Sequence, residues 1–272
     1  MQQPPEPRPA ATWLAAAEAA ADVAGCVIRP FFRMPIAASD KSDASPVTIA
    51  DRTSEQAMRA VLSERLPEHG ILGEEFGLER PDARWRWVLD PVDGTRAFIT
   101  GRPSFGVLVA LLDDGIPVLG LIDQPITGER WIGVTGQPTR FVSRSLPGIP
   151  CTRRCASLAG AELSCTSPEM LEPQSEPRWR GLQAKVKRTS WGGDCYAYGL
   201  LALGQIDIIA ECGMKPWDWA ALVPVIEGAG GRVTDWQGQP LRQDGDGTVL
   251  AVGDPTLLAP AVEALENRAA LG

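Results

Sequence analysis

Trp87-Val88-Leu89-Asp90-Pro91-Val92-Asp93-Gly94-Thr95-Arg96-Ala97-Phe98 is the stretch on which the fold and chemistry of this chain turn. Three apolar residues deliver Asp90 to the end of a buried strand. Asp90 and Asp93 flank a stiff proline, and Gly94-Thr95 opens the next segment. Two carboxylates three residues apart on such a turn can share hard cations such as Mg²⁺, which take oxygen ligands and keep positions open for phosphate. The backbone N–H groups after Gly94 face the same spot, where a helix N-terminus favours an anion. Metal and phosphate can therefore meet within a few residues, the pattern of a metal-assisted phosphate enzyme.

Size and charge agree with that pattern. At 272 residues the chain is near the upper limit for one hydrophobic core, so a single large domain and two fused lobes are both allowed. A net charge of −8 argues against nucleic acid or an anionic membrane as a partner. It leaves a small phosphate ester to be neutralised locally, by bound divalent cations. The six cysteines follow no framework: Cys151 and Cys155 are four apart, no second pair answers them, and His69 is the one histidine. A structural zinc site is not expected, and reduced thiols in a cytoplasmic protein are the plain reading. Residues 1–10 read as a polar, proline-rich tail. In the alanine-rich run that follows, Glu18 and Asp22 argue against a signal-peptide core or a membrane span.

Periodicity predicts a helix over 12–32, a polar loop over 36–50 and a second helix over 51–66 that stops at Pro67. Residues 71–72 form a short apolar run leading into Gly73-Glu74-Glu75. Strands are expected at 85–89, 105–112, 118–123, 130–134 and 139–142, with Asp114-Gly115 turning a hairpin. Residues 143–155 resemble a linker, placing a boundary between a lobe over 11–148 and a lobe over 149–272. The second half alternates: strands at 162–166, 188–190, 206–211, 232–234 and 248–252, helices at 168–182, 195–203, 217–229 and 255–268.

Four acidic segments stand where an element meets a loop: Asp51, Glu74-Glu75, Asp90 with Asp93, and Asp218. Each has two readings. Glu74-Glu75 is a solvated turn or a pair of ligands; Asp218 and Asp51 are helix N-caps or site residues. Asp90 is harder to explain as structure alone, because a carboxylate buried after three apolar residues needs a cation or several donors.

Gly73-Glu74-Glu75, Asp90-Pro91-Val92-Asp93-Gly94-Thr95 and Trp217-Asp218-Trp219-Ala220 resemble, in order and spacing, the motifs of the inositol monophosphatase family. The resemblance runs from the first helix to the last strand. It implies an α/β fold of alternating α-β-α-β-α layers with mostly antiparallel sheets, and lithium-sensitive, Mg²⁺-dependent phosphatase activity. It implies two to three ions per site, with Mn²⁺ as a substitute. Glu74, Asp90 and the carbonyl of Val92 resemble the ligands of one metal, and Asp90, Asp93 and Asp218 those of a second, with Glu74 also helping to hold a third. Thr95, paired with Asp51, resembles the device that orients the attacking water, which gives Asp51, Thr95 and Glu74 catalytic roles. Gly94 and Thr95 would offer N–H groups to the phosphate, and residues 41–48 resemble the mobile loop of the metal site. The family tends to dimerise, and a tryptophan-rich surface would support a homodimer.

Three further stretches, Asp123-Gln124-Pro125, Gly128-Glu129-Arg130-Trp131 and Trp191-Gly192-Gly193-Asp194-Cys195-Tyr196, look like the histidinol-phosphatase branch of that family. Histidinol phosphate carries an ammonium and an imidazole, so its pocket needs carboxylates away from the metals. Asp194 and Glu211 are the candidates, with Arg130 as a further substrate contact. Structural readings stand beside these: Asp194 as a helix N-cap, Tyr196 and Tyr198 as core, Arg130-Trp131 as strand surface. The leading expectation is histidinol-phosphate hydrolysis in histidine biosynthesis. The alternatives are an inositol monophosphatase or broad sugar or nucleotide phosphatase, and a non-catalytic regulator that binds metal or a phosphorylated ligand.

Overall fold

The apolar runs of the first half assemble one large sheet. The computed structural model describes residues 10–35, 38–40 and 46–266. It opens with α1 (Ala10–Ile28), the antiparallel pair β1 (Ala38–Asp40) and β2 (Pro46–Thr48), and α2 (Ile49–Arg65). Seven strands follow: β3 (Gly70–Gly73), β4 (Gly77–Glu79), β5 (Trp85–Asp93), β6 (Gly106–Asp113), β7 (Ile116–Gln124), β8 (Glu129–Val134) and β9 (Arg140–Ser143). The short α3 (Thr95–Ile99) lies between β5 and β6. The sheet order is β4-β3-β5-β6-β7-β8-β9, with β3 and β5 parallel and every other neighbour antiparallel.

The second sheet is smaller and mixed. Its strands are β10 (Glu162–Cys165), β11 (Arg188–Trp191), β12 (Ile208–Glu211), β13 (Arg232–Thr234) and β14 (Val249–Val252), in the order β11-β10-β12-β14-β13. β10 runs parallel to both its neighbours, whereas β14 is antiparallel to β12 and β13. Between and after these strands come α4 (Glu176–Gln183), α5 (Asp194–Ala202), α6 (Pro216–Trp219), α7 (Leu222–Gly228) and α8 (Leu258–Glu266).

Strand alternation sorts the side chains into three cores. Trp87, Leu89, Val107, Val109 and Leu121 face α1 and α2, while Val88, Leu108, Ala110, Ile122 and Trp131 face α5, α6 and α7. The opposite side of that middle helix layer meets Ile209, Val249 and Ala251 of the second sheet. The second sheet's other face, with Leu163, Ile208, Ala210 and Leu250, packs on α4 and α8 through Trp179, Leu182 and Ala261. The result is the α-β-α-β-α layering. Residues 144–157 carry no helix or strand, and the two sheets lie on either side of them in the chain. Packing nevertheless runs across that stretch, because α7 of the second half lies on β7 and β8 of the first.

Several local expectations change in the structure. The helix expected over 168–182 is a 3-10 turn at Pro168–Met170 followed by α4, because Pro173 interrupts the segment. The helix expected over 217–229 splits into α6 and α7; Pro224 has no N–H to bond the carbonyl four residues back, at Ala220. Strand β4 was not expected, and β5 runs past Leu89 to Asp93 through an irregularity in its pairing with β6. Residues 41–45 of the expected metal-site loop, residues 1–9 of the tail and the end of the last helix lie outside the described residues. By length and composition alone, Ala11–Phe31 could cross a membrane despite Glu18 and Asp22. Its packing assigns it instead to the core, since Ala16, Ala17, Ala20, Ala21, Ala24 and Ile28 are fully buried. The tryptophan-rich surface is also corrected. All nine tryptophans are described and only Trp191 is exposed, because the large rings fill the layer interfaces.

Candidate active site

The end of β5 is where the acids gather. Asp90 is buried, and its Oδ1 accepts the N–H of Val92 at 2.9 Å, which folds the chain sharply over Pro91. Gly94 then adopts φ +90, a left-handed conformation that glycine reaches without a steric penalty, and starts α3. Two remote segments aim at this turn. The N–H of Cys195, in the first turn of α5, donates to Asp93 Oδ2 at 2.6 Å. Asp218, in the first turn of α6, turns back so that its Oδ2 accepts the N–H of Lys215 at 2.7 Å. One carboxylate oxygen from each of Asp90, Asp93 and Asp218 lies within 4.8 Å of the others.

Glu74 reaches the same place from β3. Its N–H donates to the carbonyl of Leu89 at 3.2 Å, so its backbone lies beside the residue preceding Asp90. Its charge raises the pKa of both Asp90 and Asp218. Burial pushes Asp90 well above the usual carboxylate range, with Glu74, Asp93, Asp218 and Asp51 adding to it. Burial and then Asp218 take Asp93 up to about 8. Burial takes Asp218 up to about 7, with Glu74 and Glu211 adding to the rise. Like charges this close hold protons near neutral pH unless a cation keeps them ionised. The donor set is all oxygen, which suits a hard divalent cation, so the residues present fit the metal that the motifs imply.

Asp51 is fully buried and its two oxygens have separate partners. Oδ2 accepts the N–H of Thr48 at 2.9 Å and its hydroxyl at 2.5 Å, while Oδ1 lies 3.2 Å from the hydroxyl of Thr95. Asp51 is thus the third residue of α2 in a capping box with Thr48 at the N-cap, not the cap itself. Burial raises its pKa against the lowering effect of these hydrogen bonds. The Thr95 hydroxyl also lies 3.2 Å from the carbonyl of Val92, so its one proton chooses between two acceptors.

On the other side of the acids a cavity of about 120 Å³ is lined by Thr166, Met170, Asp194, Tyr198, Glu211 and Asp218. It shares Thr166, Met170 and Asp194 with a cleft of about 410 Å³ bounded by Arg96, Arg102 and Glu169. Asp194 is the first residue of α5, with Gly193 at the N-cap position, and holds φ +45. Its carboxylate lies over Gly94: a Cβ built there would come within 2.7 Å of Asp194 Cγ. Burial and the nearby Asp93 push Asp194 up to about 8. Glu211 is buried, with Oε1 accepting the N–H of Thr166 at 2.6 Å and Oε2 the hydroxyl of Tyr198 at 2.8 Å. Across the cleft, Arg96 Nη1 and Glu169 Oε2 pair at 2.7 Å.

Arg130 is the one expected substrate residue that the fold does not bring to this site. Alternation on β8 turns Trp131 toward α5 and Arg130 toward α1, on the opposite face of the sheet. There its guanidinium pairs with Asp123 at 2.7 Å and Asp22 at 2.8 Å. Of the supporting residues, Thr166 and Glu169 have no place in the sequence reading of the site, Tyr198 reads there as core, and Thr48 only closes the 41–48 loop. Only Thr48 left a signal, as the first member of the Thr-x-x-Asp spacing of a capping box.

Comparison with known proteins is consistent across the chain. Residues 10–269 match the model of the inositol monophosphatase family. The chain is 46% identical over 261 residues to "Bifunctional phosphatase IMPL2, chloroplastic" of Arabidopsis thaliana, which covers 93% of this chain and 74% of that one. It is 35% identical over 235 residues to a histidinol-phosphatase of Chlorobaculum parvum, covering 85% and 88%. Among solved structures, an inositol monophosphatase from Zymomonas mobilis superimposes with a TM-score of 0.87 at 50% identity, covering 96% of this chain and all of that one.

Proposed function

The chain belongs to the inositol monophosphatase family of phosphoric monoester hydrolases, and we propose that it is a Mg²⁺-dependent histidinol-phosphate phosphatase. In this reading Glu74, Asp90, Asp93, Asp218 and the carbonyl of Val92 hold the ions. When bound, these ions lower the pKa of water and neutralise charge on the phosphate and the departing oxygen. The rest of the work falls to the chain. The Thr95 hydroxyl orients the attacking water, and Asp51, more basic than an ordinary carboxylate, takes the proton through it. In the same reading the N–H groups of Gly94 and Thr95, at the start of α3, bind phosphate oxygens. No protein nucleophile is needed.

The observation that carries the substrate reading is the cleft beside the metal-binding acids. It holds two carboxylates, Asp194 near Gly94 and Glu169, the latter already paired with Arg96, and is large enough for an amino alcohol with an imidazole. A cationic ammonium gains from such acids, whereas a neutral polyol does not. The likeness to the Chlorobaculum parvum histidinol-phosphatase supports the same choice. A second reading, inositol monophosphatase, is favoured by the 50% identity to the solved enzyme of that name.

Ranking histidinol phosphate, myo-inositol 1-phosphate and a neutral aryl phosphate by kcat/KM with Mg²⁺ tests both. Histidinol phosphate should lead by about tenfold or more, the range available from one or two desolvated charge contacts. A lead for myo-inositol 1-phosphate would replace the first reading with the second. Phosphate release from none of them would leave a sugar or nucleotide phosphatase or a ligand-binding regulator.

A further inference from the structure

We propose that Glu55 is a positioning residue for Glu74, setting the geometry of the metal site from behind through the turn between β3 and β4. The inference rests on the reading of Glu74 as a metal ligand.

Glu55 lies on α2 one turn beyond Asp51 and is fully buried. Its Oε2 accepts the N–H of Glu75 at 2.7 Å, and its Oε1 accepts the N–H of Phe76 at 3.2 Å. These are the two residues directly after Glu74. The approach is close: a Cβ on Gly73 would fall 2.0 Å from Glu55 Oε1, so glycine leaves the room that the carboxylate occupies. On its other side Glu74 is tied by its own N–H to Leu89. The backbone of Glu74 is therefore clamped between the end of β5, where Asp90 begins, and a buried anion on α2.

Arg59 completes the clamp. Its Nε donates to Glu55 Oε1 at 2.7 Å, Nη1 to Glu79 at 2.9 Å and Nη2 to the carbonyl of Gly77 at 2.5 Å. A buried carboxylate is tolerated when it is paired and its lone pairs are filled, and here both conditions hold. α2 thus presents two acids, four residues apart on one face, to two parts of the site. Asp51 meets the Thr95 hydroxyl, and Glu55 meets the turn that carries Glu74.

The test measures Mg²⁺ binding to the full chain, without substrate, through the change in tryptophan fluorescence, to which Trp217 and Trp219 on either side of Asp218 contribute. Glu55→Asp keeps the charge against Arg59 but is one methylene too short to hold both N–H groups. It should weaken Mg²⁺ binding by about tenfold, the lower end of what outer partners of metal ligands contribute. In a Glu74→Gln background the same substitution should change the Kd by less than about twofold, because the residue it acts through is gone. Gly73→Ala, which displaces the Glu55 carboxylate without altering any charge, should reproduce the Glu55→Asp effect. A folded Glu55→Asp or Gly73→Ala protein with wild-type Mg²⁺ affinity would overturn the proposal. So would an undiminished Glu55→Asp effect in the Glu74→Gln background. If Glu74→Gln alone left the Kd unchanged, the ligand reading would fail instead, which is a separate outcome.

Discussion

The two ends of the site are built in different ways. At the metal end, Asp90, Val92, Asp93, Gly94 and Thr95 come from one six-residue turn, and Glu74 and Asp218 join them from two other segments. At the organic end, Arg96, Thr166, Glu169, Asp194 and Glu211 come from four segments, of which only Arg96 adjoins the metal-end turn, and their bonding partners are as far apart in sequence as Arg96 is from Glu169. A compact turn can hold charges against their mutual repulsion because its geometry is local. A pocket assembled from remote segments can change its lining without disturbing that turn. Substitutions at the metal end should therefore act on every substrate, and those at the organic end on particular ones.

The sharpest contrast comes from Asp93→Asn. It removes metal-binding charge yet keeps an oxygen for the Cys195 N–H, so the fold should survive. Turnover of all phosphate esters should fall by about a thousandfold or more, since several kcal/mol of charge stabilisation depends on the ions. Circular dichroism would confirm the fold, and near-normal activity in the folded variant would break the comparison at its first step. Thr95→Ala should have the next largest effect. The loss in kcat should be about a hundredfold, within the range for positioned proton transfer, with Mg²⁺ affinity little changed. An equal loss of metal affinity would assign Thr95 to the metal instead of the water.

The same difference explains what could be read from the sequence. Asp90-Pro91-Val92-Asp93-Gly94-Thr95 is legible because its chemistry is local: strand end, proline turn, glycine and hydroxyl follow one another within six residues. The layered fold is legible too, from runs that alternate on strands and from the alanine-rich face of α1. Glu55 was not, because its role depends on β3 and β4 returning to α2, which no spacing within the helix reveals. Arg130 was misplaced for a related reason. Its neighbours suggested a substrate contact, but one step of strand alternation sends it to the α1 face and into the Asp22 and Asp123 ion pairs. Asp194 was legible as a charge near a helix start, though its close approach to Gly94 was not.

Asp194→Asn sharpens the comparison from the organic end. Asn tolerates the left-handed backbone found at this position, so the change removes charge with little strain. KM for histidinol phosphate should rise by about tenfold, roughly one charged hydrogen bond, while a neutral phosphate ester changes by less than about threefold. Equal changes for both esters would make Asp194 part of the metal end, where its contact with Gly94 already brings it close.

The smallest expected effect is on stability, and it separates the ends by pH. In the metal-free chain Asp93 and Asp194 are pushed up to about 8 and Asp218 to about 7, chiefly by burial. An unfolded chain would titrate these groups near the ordinary carboxylate value of about 4. Between those values the folded protein binds more protons than the unfolded one. The stability this provides is fully present below about pH 4 and is lost as pH rises through 7 to 8. Opposing losses from other groups dominate at acid pH, so the useful window is pH 5 to 8.5. There the melting temperature of the chelator-treated protein should fall by several degrees. With Mg²⁺ bound, the carboxylates at the metal end are paired in their charged form, so the fall should shrink and the gap between the two curves should widen with pH. Asp194 is not among the metal ligands, so the slope that survives in Mg²⁺ should be reduced further by Asp194→Asn. A chelator-treated protein as stable at pH 8.5 as at pH 5 would mean that these acids do not repel one another as their burial and spacing require.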